Sequence, residues 1–226
     1  MKVVSIDMGE TLVSFRPRFY ENIYLTLKKF GYNIPEKYVF RAVVKNLANK
    51  LYPDAELDGL ARPDYKELLY TLNIIPRKEI IEELSTTKII GESYELYPDS
   101  LNFLKSIREL GIHIVLTTNA TRRVYKIIRE LGISQYIDKI IASCDLKLMK
   151  PHPLVFYKAC KSIGDVDLRD CIHIGDVYEI DVEGAKRAHI TPILLDRFNF
   201  YNDLNINNKV KNLSEAIELV RKIWNL

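Results

Sequence analysis

Side chains that could carry out chemistry follow four short apolar runs in this sequence. Asp7 comes directly after the first run, Thr118 ends the second, Lys150 follows the third, and Asp176 follows the fourth, with Asp181 five residues later. A carboxylate acts as a nucleophile when a nearby lysine and a divalent cation keep it ionised. This set of residue types therefore predicts phosphoryl transfer by in-line attack at one shared site.

Each of these side chains has an expected role that follows from its chemistry. Asp7 and Asp176 form a hard oxygen site of the kind that holds Mg²⁺ and leaves positions for water and phosphate oxygens. Asp181 lies in the first turn of the next helix, where it either binds a ligand water or orients Lys150. Thr118 and the backbone N–H groups after Asp7 are suited to cradle a phosphate.

The elements that must position these residues are short strands that alternate with helices. Apolar, β-branched runs predict five strands, buried on both faces of a parallel sheet, at residues 3–6, 112–116, 140–143, 171–174 and 192–195. Helical periodicity predicts helices at residues 100–110, 121–131, 153–163, 178–188 and 214–224. The alternation predicts an α/β fold with a doubly wound parallel sheet. Ligands of such sheets bind at the carboxyl ends of the strands, where the candidates stand.

One segment breaks this alternation. Residues 16–95 carry only helical patterns, which several prolines punctuate. A crossover between two parallel strands needs only about a dozen residues, and the helix at 100–110 already supplies one. We therefore predict an inserted α-helical cap at residues 16–95, with an α/β core formed by residues 1–15 and 96–226.

The composition is that of an ordinary globular protein. The chain has 226 residues, a net charge of +3, 47% hydrophobic residues and 28% charged residues. The charge is too small to indicate a nucleic-acid partner, and no apolar run resembles a membrane span or a secretory signal. Three unclustered cysteines predict neither a disulfide framework nor a zinc site. We expect a cytoplasmic protein in a reducing compartment, and the sequence does not indicate its oligomeric state.

Four motifs in register resemble those of the haloacid dehalogenase (HAD) superfamily of hydrolases. They read "VVSIDMGETL", "IHIVLTTN", "KPHPLVF" and "CIHIGDVYEIDVEGAKRAHI", and they fall in the family's order on the predicted elements. The resemblance implies a HAD-like Rossmannoid core with a helical cap between the first and second motifs. It also implies an Mg²⁺-dependent phosphatase that acts on a small phosphorylated metabolite.

The resemblance also assigns roles to individual residues. It implies that Asp7 is the nucleophile, that Thr118 contacts phosphate, and that Lys150 stabilises charge. Mg²⁺ would be held by Asp7, the carbonyl of Gly9 and Asp176, with Asp181 as a second acidic partner. Thr11 and Asn119, which adjoin these motif positions, are expected to contact the phosphate as well. Lys147 lies on the same loop as Lys150 and is the second candidate for its role.

Gly9 departs from the family pattern. Most phosphatases of the family carry a second aspartate two residues after the nucleophile, where it serves as general acid and base. Such catalysis is typically worth about 10²–10⁴ in rate, and Gly9 has no side chain to provide it. In the first reading, the chain is a phosphatase whose acid and base come from Glu10, a cap residue or solvent, and it favours phosphates with good leaving groups.

Two other readings stay open at the level of sequence. A 2-haloacid dehalogenase would use Asp7 as its nucleophile and needs no acid for a halide, although Asp176 and Asp181 would then lack a balancing cation. A weakly active or non-catalytic module would bind phosphate and Mg²⁺ without efficient turnover. Carbon–phosphorus cleavage belongs with this last reading and usually needs a cap lysine, for which Lys28, Lys29 and Lys45 are available.

Overall fold

The computed structural model of the protein describes residues 1–89 and 91–226. Its strands, in chain order, are β1 (Val3–Ile6), β2 (Val13–Arg16), β3 (Ser93–Leu96), β4 (His113–Thr118), β5 (Lys139–Ala142), β6 (Cys171–Gly175), β7 (Thr191–Leu195) and β8 (Lys209–Val210). A six-stranded sheet has the order β5-β4-β1-β6-β7-β8, and β2 pairs with β3 in a separate sheet. All neighbours in the large sheet are parallel, whereas β2 and β3 are antiparallel.

The helices fall into two groups along the chain. Between β2 and β3 lie α1 (Glu21–Lys29), α2 (Glu36–Leu47), α3 (Tyr65–Thr71) and α4 (Lys78–Thr86). After β3 come α5 (Ser100–Glu109), α6 (Arg123–Glu130), α7 (Ser143–Leu146), α8 (Pro153–Lys161), α9 (Glu183–Arg187) and α10 (Leu213–Trp224), and a π-helical turn at Tyr178–Val182 leads into α9. Across the described part of the chain, no helix is both long enough and apolar enough to cross a membrane.

The predicted doubly wound α/β sheet is confirmed. The five predicted strands correspond to β1, β4, β5, β6 and β7, with ends that differ by at most two residues. Strand β1 is fully buried and pairs with both β4 and β6. The chain first builds the sheet outward on one side of β1 and then on the other. The end of β1 therefore lies at the point where strand order reverses, which is the preferred ligand site of such sheets.

The residues between β2 and β3 form the helical segment, which we define as residues 17–89. Its connection between α2 and α3 contacts the sheet-bearing part of the chain at two places. Asp58 forms an ion pair of 2.7 Å with Arg122, and the carbonyl of Leu51 accepts a hydrogen bond of 2.9 Å from the backbone of Met149. The helical segment therefore covers the carboxyl edge of the sheet. The boundaries of the cap, at residues 16 and 95, stay a prediction.

The three cysteines, which predicted no disulfide framework, nevertheless include one disulfide pair. Cys160 and Cys171 form a disulfide, with their Cα atoms 6.1 Å apart, whereas Cys144 is free and buried. The two partners are separated by 11 residues and become neighbours only because α8 packs against the sheet near the start of β6. Because the unpaired cysteines were the argument for a reducing compartment, the cytoplasmic location stays a prediction.

Candidate active site

The buried ammonium of Lys150 joins two of the predicted carboxylates. Its Nζ donates to Oδ1 of Asp7 at 2.6 Å and to Oδ1 of Asp181 at 2.7 Å. The Lys150 side chain is 2% exposed, so both contacts lie away from bulk water. Lys147, the second candidate for this role, is exposed and lies outside the cavity. The sheet edge thus brings Asp7, Lys150 and Asp181 together as the sequence predicts.

The protonation states of these groups follow from burial and from the ion pairs. Burial raises the pKa of Asp7 to about 6, although Lys150 counteracts part of this effect. Burial also disfavours the charged form of Lys150, but Asp181 and Asp7 outweigh it and hold the pKa of the lysine above its usual value. Burial raises the pKa of Asp181, but Lys150 and His173 outweigh burial and hold this pKa below its usual value. At neutral pH the two carboxylates and the ammonium are therefore all charged.

A second layer of polar groups fixes the orientation of Asp181. Its Oδ1 also contacts Nε2 of His173 at 3.1 Å, and its Oδ2 accepts from the backbone N–H of Val177 at 3.0 Å. The other ring nitrogen of His173 lies 2.8 Å from the hydroxyl of Ser5. Burial holds the pKa of His173 below its usual range, so the ring is neutral at pH 7. Of the two roles considered for Asp181, this arrangement favours the one that orients Lys150.

Glycine at position 175 leaves the space that Asp181 needs to reach Lys150. A Cβ at Gly175 would lie 2.5 Å from Oδ2 and 2.6 Å from Cβ of Asp181, distances at which atoms overlap. Asp181 is 2% exposed and is held by three hydrogen-bonding partners, so it has little freedom to move aside. Gly175 at the end of β6 is therefore a steric condition for the contact between Asp181 and Lys150.

Asn119 holds the backbone of Lys150. Its Nδ2 donates to the Lys150 carbonyl at 2.9 Å, and its Oδ1 accepts from the Lys150 N–H at 2.8 Å. Both polar atoms of the side-chain amide thus contact the loop that carries the lysine. Direct contact between Asn119 and phosphate stays a prediction, whereas the observed contacts give its side chain a positioning role. Thr118 at the end of β4 lines the cavity, as does Asn119.

Thr11 lies elsewhere than predicted. It is fully buried, it does not line the cavity, and its hydroxyl lies 3.4 Å from Oδ1 of Asp176, to which it donates. The sequence could not show this, because the turn after β1 reverses direction through backbone bonds from Leu12 and Val13 to the Met8 carbonyl. The side chain of Thr11 is therefore directed at a carboxylate and not at the space where a phosphate would sit.

Asp7 and Asp176 leave negative charge without a partner at this edge. Burial and the neighbouring Asp7 raise the pKa of Asp176 well above its usual value. With Asp176 also ionised, three carboxylates, counting Asp181, would face one ammonium on Lys150 and a neutral histidine, which would leave two negative charges uncompensated. In the part of the chain that the structure describes, no three acidic, histidine or cysteine side chains form a metal-binding group. One or two carboxylates with water and phosphate oxygens nevertheless match the way proteins bind Mg²⁺.

A side chain at position 9 would lie beside an aromatic ring. A Cβ at Gly9 would meet Cε2 of Phe15 at 3.8 Å and its Cδ2 at 3.9 Å, which is ordinary van der Waals contact. Glu10, one candidate for the missing acid, has both oxygens engaged. Its Oε1 accepts from the Phe15 N–H at 2.9 Å, and its Oε2 accepts from Arg18 at 3.1 Å and from Tyr97 at 2.6 Å. These partners make Glu10 a structural ion-pair residue more than a proton donor.

The polar groups face a cavity whose opposite side is apolar. The cavity has a volume of about 220 Å³, and Asp7, Gly9, Thr118, Lys150 and Asp176 lie at its sheet end. Among the described residues, every side chain that the helical segment contributes to the cavity is apolar. We call this set the apolar wall: Phe19, Val43, Leu47, Leu60, Ala61, Pro63 and Ile89.

The apolar wall has consequences for the readings that needed a cap residue. It contains no acid or base, so the missing general acid is not supplied from the described part of the helical segment. Lys28, Lys29 and Lys45 do not line the cavity, and Lys29 instead pairs with Glu83 at 2.7 Å on the surface. The lysine required for carbon–phosphorus cleavage is therefore not at the site.

The sequence analysis missed the apolar wall and one cation at the cavity. Val43 and Leu47 were visible only as part of a helical stripe, which core packing explains equally well. Arg123 at the start of α6 also lines the cavity, and its guanidinium donates to the carbonyl of Gly91 at 3.3 Å. No motif distinguishes this exposed arginine from other surface arginines, so its position became apparent only from the fold.

Known proteins resemble this chain in sequence and in structure. A family model described as a haloacid dehalogenase-like hydrolase matches residues 1–189. A Saccharomyces cerevisiae protein named Uncharacterized protein YMR130W is 25% identical over 224 residues, covering 89% of this chain and 74% of that protein. A glyceraldehyde 3-phosphate phosphatase of Methanopyrus kandleri is 27% identical over 136 residues, covering 56% of this chain and 57% of its own length. The match to that phosphatase therefore spans only about half of each protein.

Solved structures share the architecture of the whole chain. The HAD-hydrolase YfnB of Bacillus subtilis, in a structure bound to magnesium, superposes with a TM-score of 0.61. The superposition covers 100% of this chain and 99% of that one, at 15% sequence identity. At this level of identity the likeness shows the fold alone.

Proposed function

Because the chain belongs to the haloacid dehalogenase-like hydrolase family, we propose that it is an Mg²⁺-dependent phosphatase. Its substrate is a small phosphorylated metabolite, and its intermediate is an aspartyl-phosphate on Asp7. The observation that carries this proposal is the contact of 2.6 Å between Lys150 and Oδ1 of Asp7 at the end of a cavity. Because Lys150 donates to Oδ1 of Asp7, we assign the attack on phosphorus to Oδ2.

The role of each side chain follows from its contacts. Lys150 keeps Asp7 ionised and offsets charge that develops on the transferring phosphoryl group. Asp181 fixes the ammonium of Lys150, and Gly175 leaves the space in which Asp181 can do so. Asn119 fixes the backbone of Lys150. The hydroxyl of Thr118 lies on the same cavity and is suited to donate to a phosphate oxygen.

Mg²⁺ fits the residues at this edge. Asp7, Asp176 and the carbonyl of Gly9, to which no described residue donates, would hold the ion. The two uncompensated negative charges would be balanced by a divalent cation, which supplies charge neutralisation for the phosphoryl oxygens. The magnesium-bound YfnB structure and the phosphatase relatives support this proposal by likeness.

The dehalogenase reading stays the second candidate, because a halide needs no acid and Gly9 provides none. The charge balance opposes it, since Lys150 would then be the one cation in contact with Asp7 and Asp181, and the neighbouring Asp176 would have none. The discriminating assay measures phosphate release from p-nitrophenyl phosphate with Mg²⁺ and with EDTA, beside chloride release from 2-chloropropionate without metal. We expect phosphate release that EDTA abolishes. Metal-independent chloride release would contradict the phosphatase proposal, and turnover of neither substrate with retained Mg²⁺ and phosphate binding would favour the non-catalytic module.

A further inference from the structure

We infer that the substrate carries a small apolar leaving group that departs without being protonated. This inference rests on the proposed function, because it names the substrate class of the same site. The candidate chemistry is a phosphate joined to a weakly basic oxygen, as in an acyl phosphate or an aryl phosphate. Two independent observations carry it, namely the apolar wall and the absence of a proton donor at Gly9.

The first observation concerns what can be bound. A phosphoryl group on Asp7 is held at the sheet end of the cavity, so the leaving group extends toward the apolar wall. A hydroxyl buried against that wall has no side-chain partner within the wall, although Arg123 also lines the cavity, and burial without a partner costs affinity. The cavity of about 220 Å³ is also smaller than the roughly 300–1,000 Å³ of ordinary ligand pockets. Small apolar groups fit this space better than polyhydroxylated ones.

The second observation concerns the chemistry of departure. Oδ2 of Asp7 attacks phosphorus, the bond from phosphorus to the leaving oxygen breaks, and the bonding electrons go to that oxygen. Because position 9 is a glycine and carries no acidic side chain, the leaving group departs as an oxyanion, as carboxylates and aryl oxides readily do. Water then attacks phosphorus, the bond to Asp7 breaks, the carboxylate is regenerated, and the proton from water is released to solvent with the phosphate.

A binding experiment without turnover separates the effect of the apolar wall on affinity from the effect of the missing proton donor on the reaction. Calorimetry in the presence of Mg²⁺ would measure the affinity of methyl-, ethyl-, propyl- and butylphosphonate, which cannot be hydrolysed. Each added methylene is expected to tighten binding about fourfold until the cavity is filled. 3-Hydroxypropylphosphonate, which has as many heavy atoms as butylphosphonate, is expected to bind at least about fivefold more weakly. Equal or tighter binding of the hydroxylated compound would overturn the inference.

A kinetic series tests the same preference in the reaction. Acetyl, propionyl and butyryl phosphate have leaving groups of nearly equal basicity, so only the apolar tail changes along the series. We expect kcat/KM to rise about fourfold per methylene. Hydrolysis of acetyl phosphate with a flat or falling series would refute the inference while leaving the proposed function standing. Phosphonate affinities that rise with chain length, without hydrolysis of any acyl phosphate or of p-nitrophenyl phosphate, would refute the proposed function together with the unprotonated leaving group and would support only the apolar ligand.

A matched pair of variants locates the preference at the wall. Leu47→Asn places a polar group in the apolar wall and is expected to reduce the discrimination between butylphosphonate and 3-hydroxypropylphosphonate about fivefold. Leu25→Asn makes the same change on α1 at a side chain that is 56% exposed and lies outside the cavity. It is expected to leave the discrimination unchanged. Should Leu47→Asn fail to fold, the two ligand series on the unaltered protein still decide the question.

Discussion

Replacing Gly175 by alanine tests whether Asp181 positions Lys150. The added methyl group would lie 2.5 Å from Oδ2 of Asp181, whereas carbon and oxygen atoms in contact are normally about 3.5 Å apart. The carboxylate must therefore move by about 1 Å. Its contact of 2.7 Å with Lys150 would then exceed hydrogen-bond distance, and the ammonium would no longer be held toward Asp7.

The expected effect is large on activity and moderate on stability. A displacement of about 1 Å in catalytic geometry can reduce the rate about 10²-fold, so kcat for acetyl phosphate with Mg²⁺ should fall by about that factor. Overpacking typically costs about 1–3 kcal/mol, which should lower Tm by several degrees. Activity would be measured at a temperature at which thermal denaturation shows both proteins to be folded.

Gly132→Ala is the matched control for this variant. Gly132 has a φ of +67°, and an added Cβ would meet no atom within 4 Å. Alanine there costs about 1–2 kcal/mol of backbone strain but does not touch Asp181. It should therefore lower Tm while kcat stays within about twofold. If Gly175→Ala also kept kcat within about threefold of the unaltered protein, the positioning role of Asp181 would be refuted.

Three further predictions concern other parts of the account. The structure has room beside Phe15 for an aspartate at position 9. Gly9→Asp should raise kcat/KM for propyl phosphate by up to about 10²–10⁴ and change kcat/KM for propionyl phosphate less than threefold. Equal gains on both substrates would show that the new aspartate does not act by donating a proton. Asn119→Ala removes both hydrogen bonds to the Lys150 backbone and should lower kcat about 10–100-fold, in contrast to Asn22→Ala, whose amide bonds a surface carbonyl. Asp99 accepts hydrogen bonds from Arg197 at 2.8 and 3.0 Å and from Leu213 at 2.8 Å; partial burial opposes its ionisation, but these bonds outweigh it and hold its pKa below 3.8. A carboxyl group whose pKa is lower in the folded than in the unfolded state stabilises the fold above its unfolded-state pKa, and this contribution is lost as the pH falls through the folded-state pKa. Asp99→Asn should therefore lower the free energy of unfolding by about 1–2 kcal/mol at pH 7 and by progressively less below pH 3.8, as measured by urea denaturation. A loss that is independent of pH would contradict this.

The sheet could be predicted from the sequence because its strands are buried on both faces. Runs such as "VVSI" and "CIHIG" are buried throughout, and helical patterns of the right length separate the four later runs. Strand β2, "VSFR", and strand β3, "SYEL", could not be found in this way because they are short, partly exposed and paired with each other. Their pairing depends on two segments separated by the whole helical segment.

The site could be predicted as a group of residues but not as a set of contacts. Parallel strands bring their carboxyl ends to one edge, so the convergence of Asp7, Lys150 and Asp176 follows from topology. The direction of each side chain depends on local turns, which is why Thr11 faces Asp176 and Asn119 faces the Lys150 backbone. The apolar wall was hidden for a different reason, since residues facing a cavity and residues facing a core have the same periodicity.

The most direct test of the central claim is to detect phosphate on Asp7 during turnover. The protein would be mixed with acetyl phosphate and Mg²⁺, quenched in acid within one turnover, and digested for peptide mass spectrometry, with Asp7→Asn as the control. We predict a phosphorylated peptide whose modification maps to Asp7, absent from the variant and from samples containing EDTA. Steady turnover with no phosphate on that peptide, or turnover by Asp7→Asn at an undiminished rate, would contradict the account.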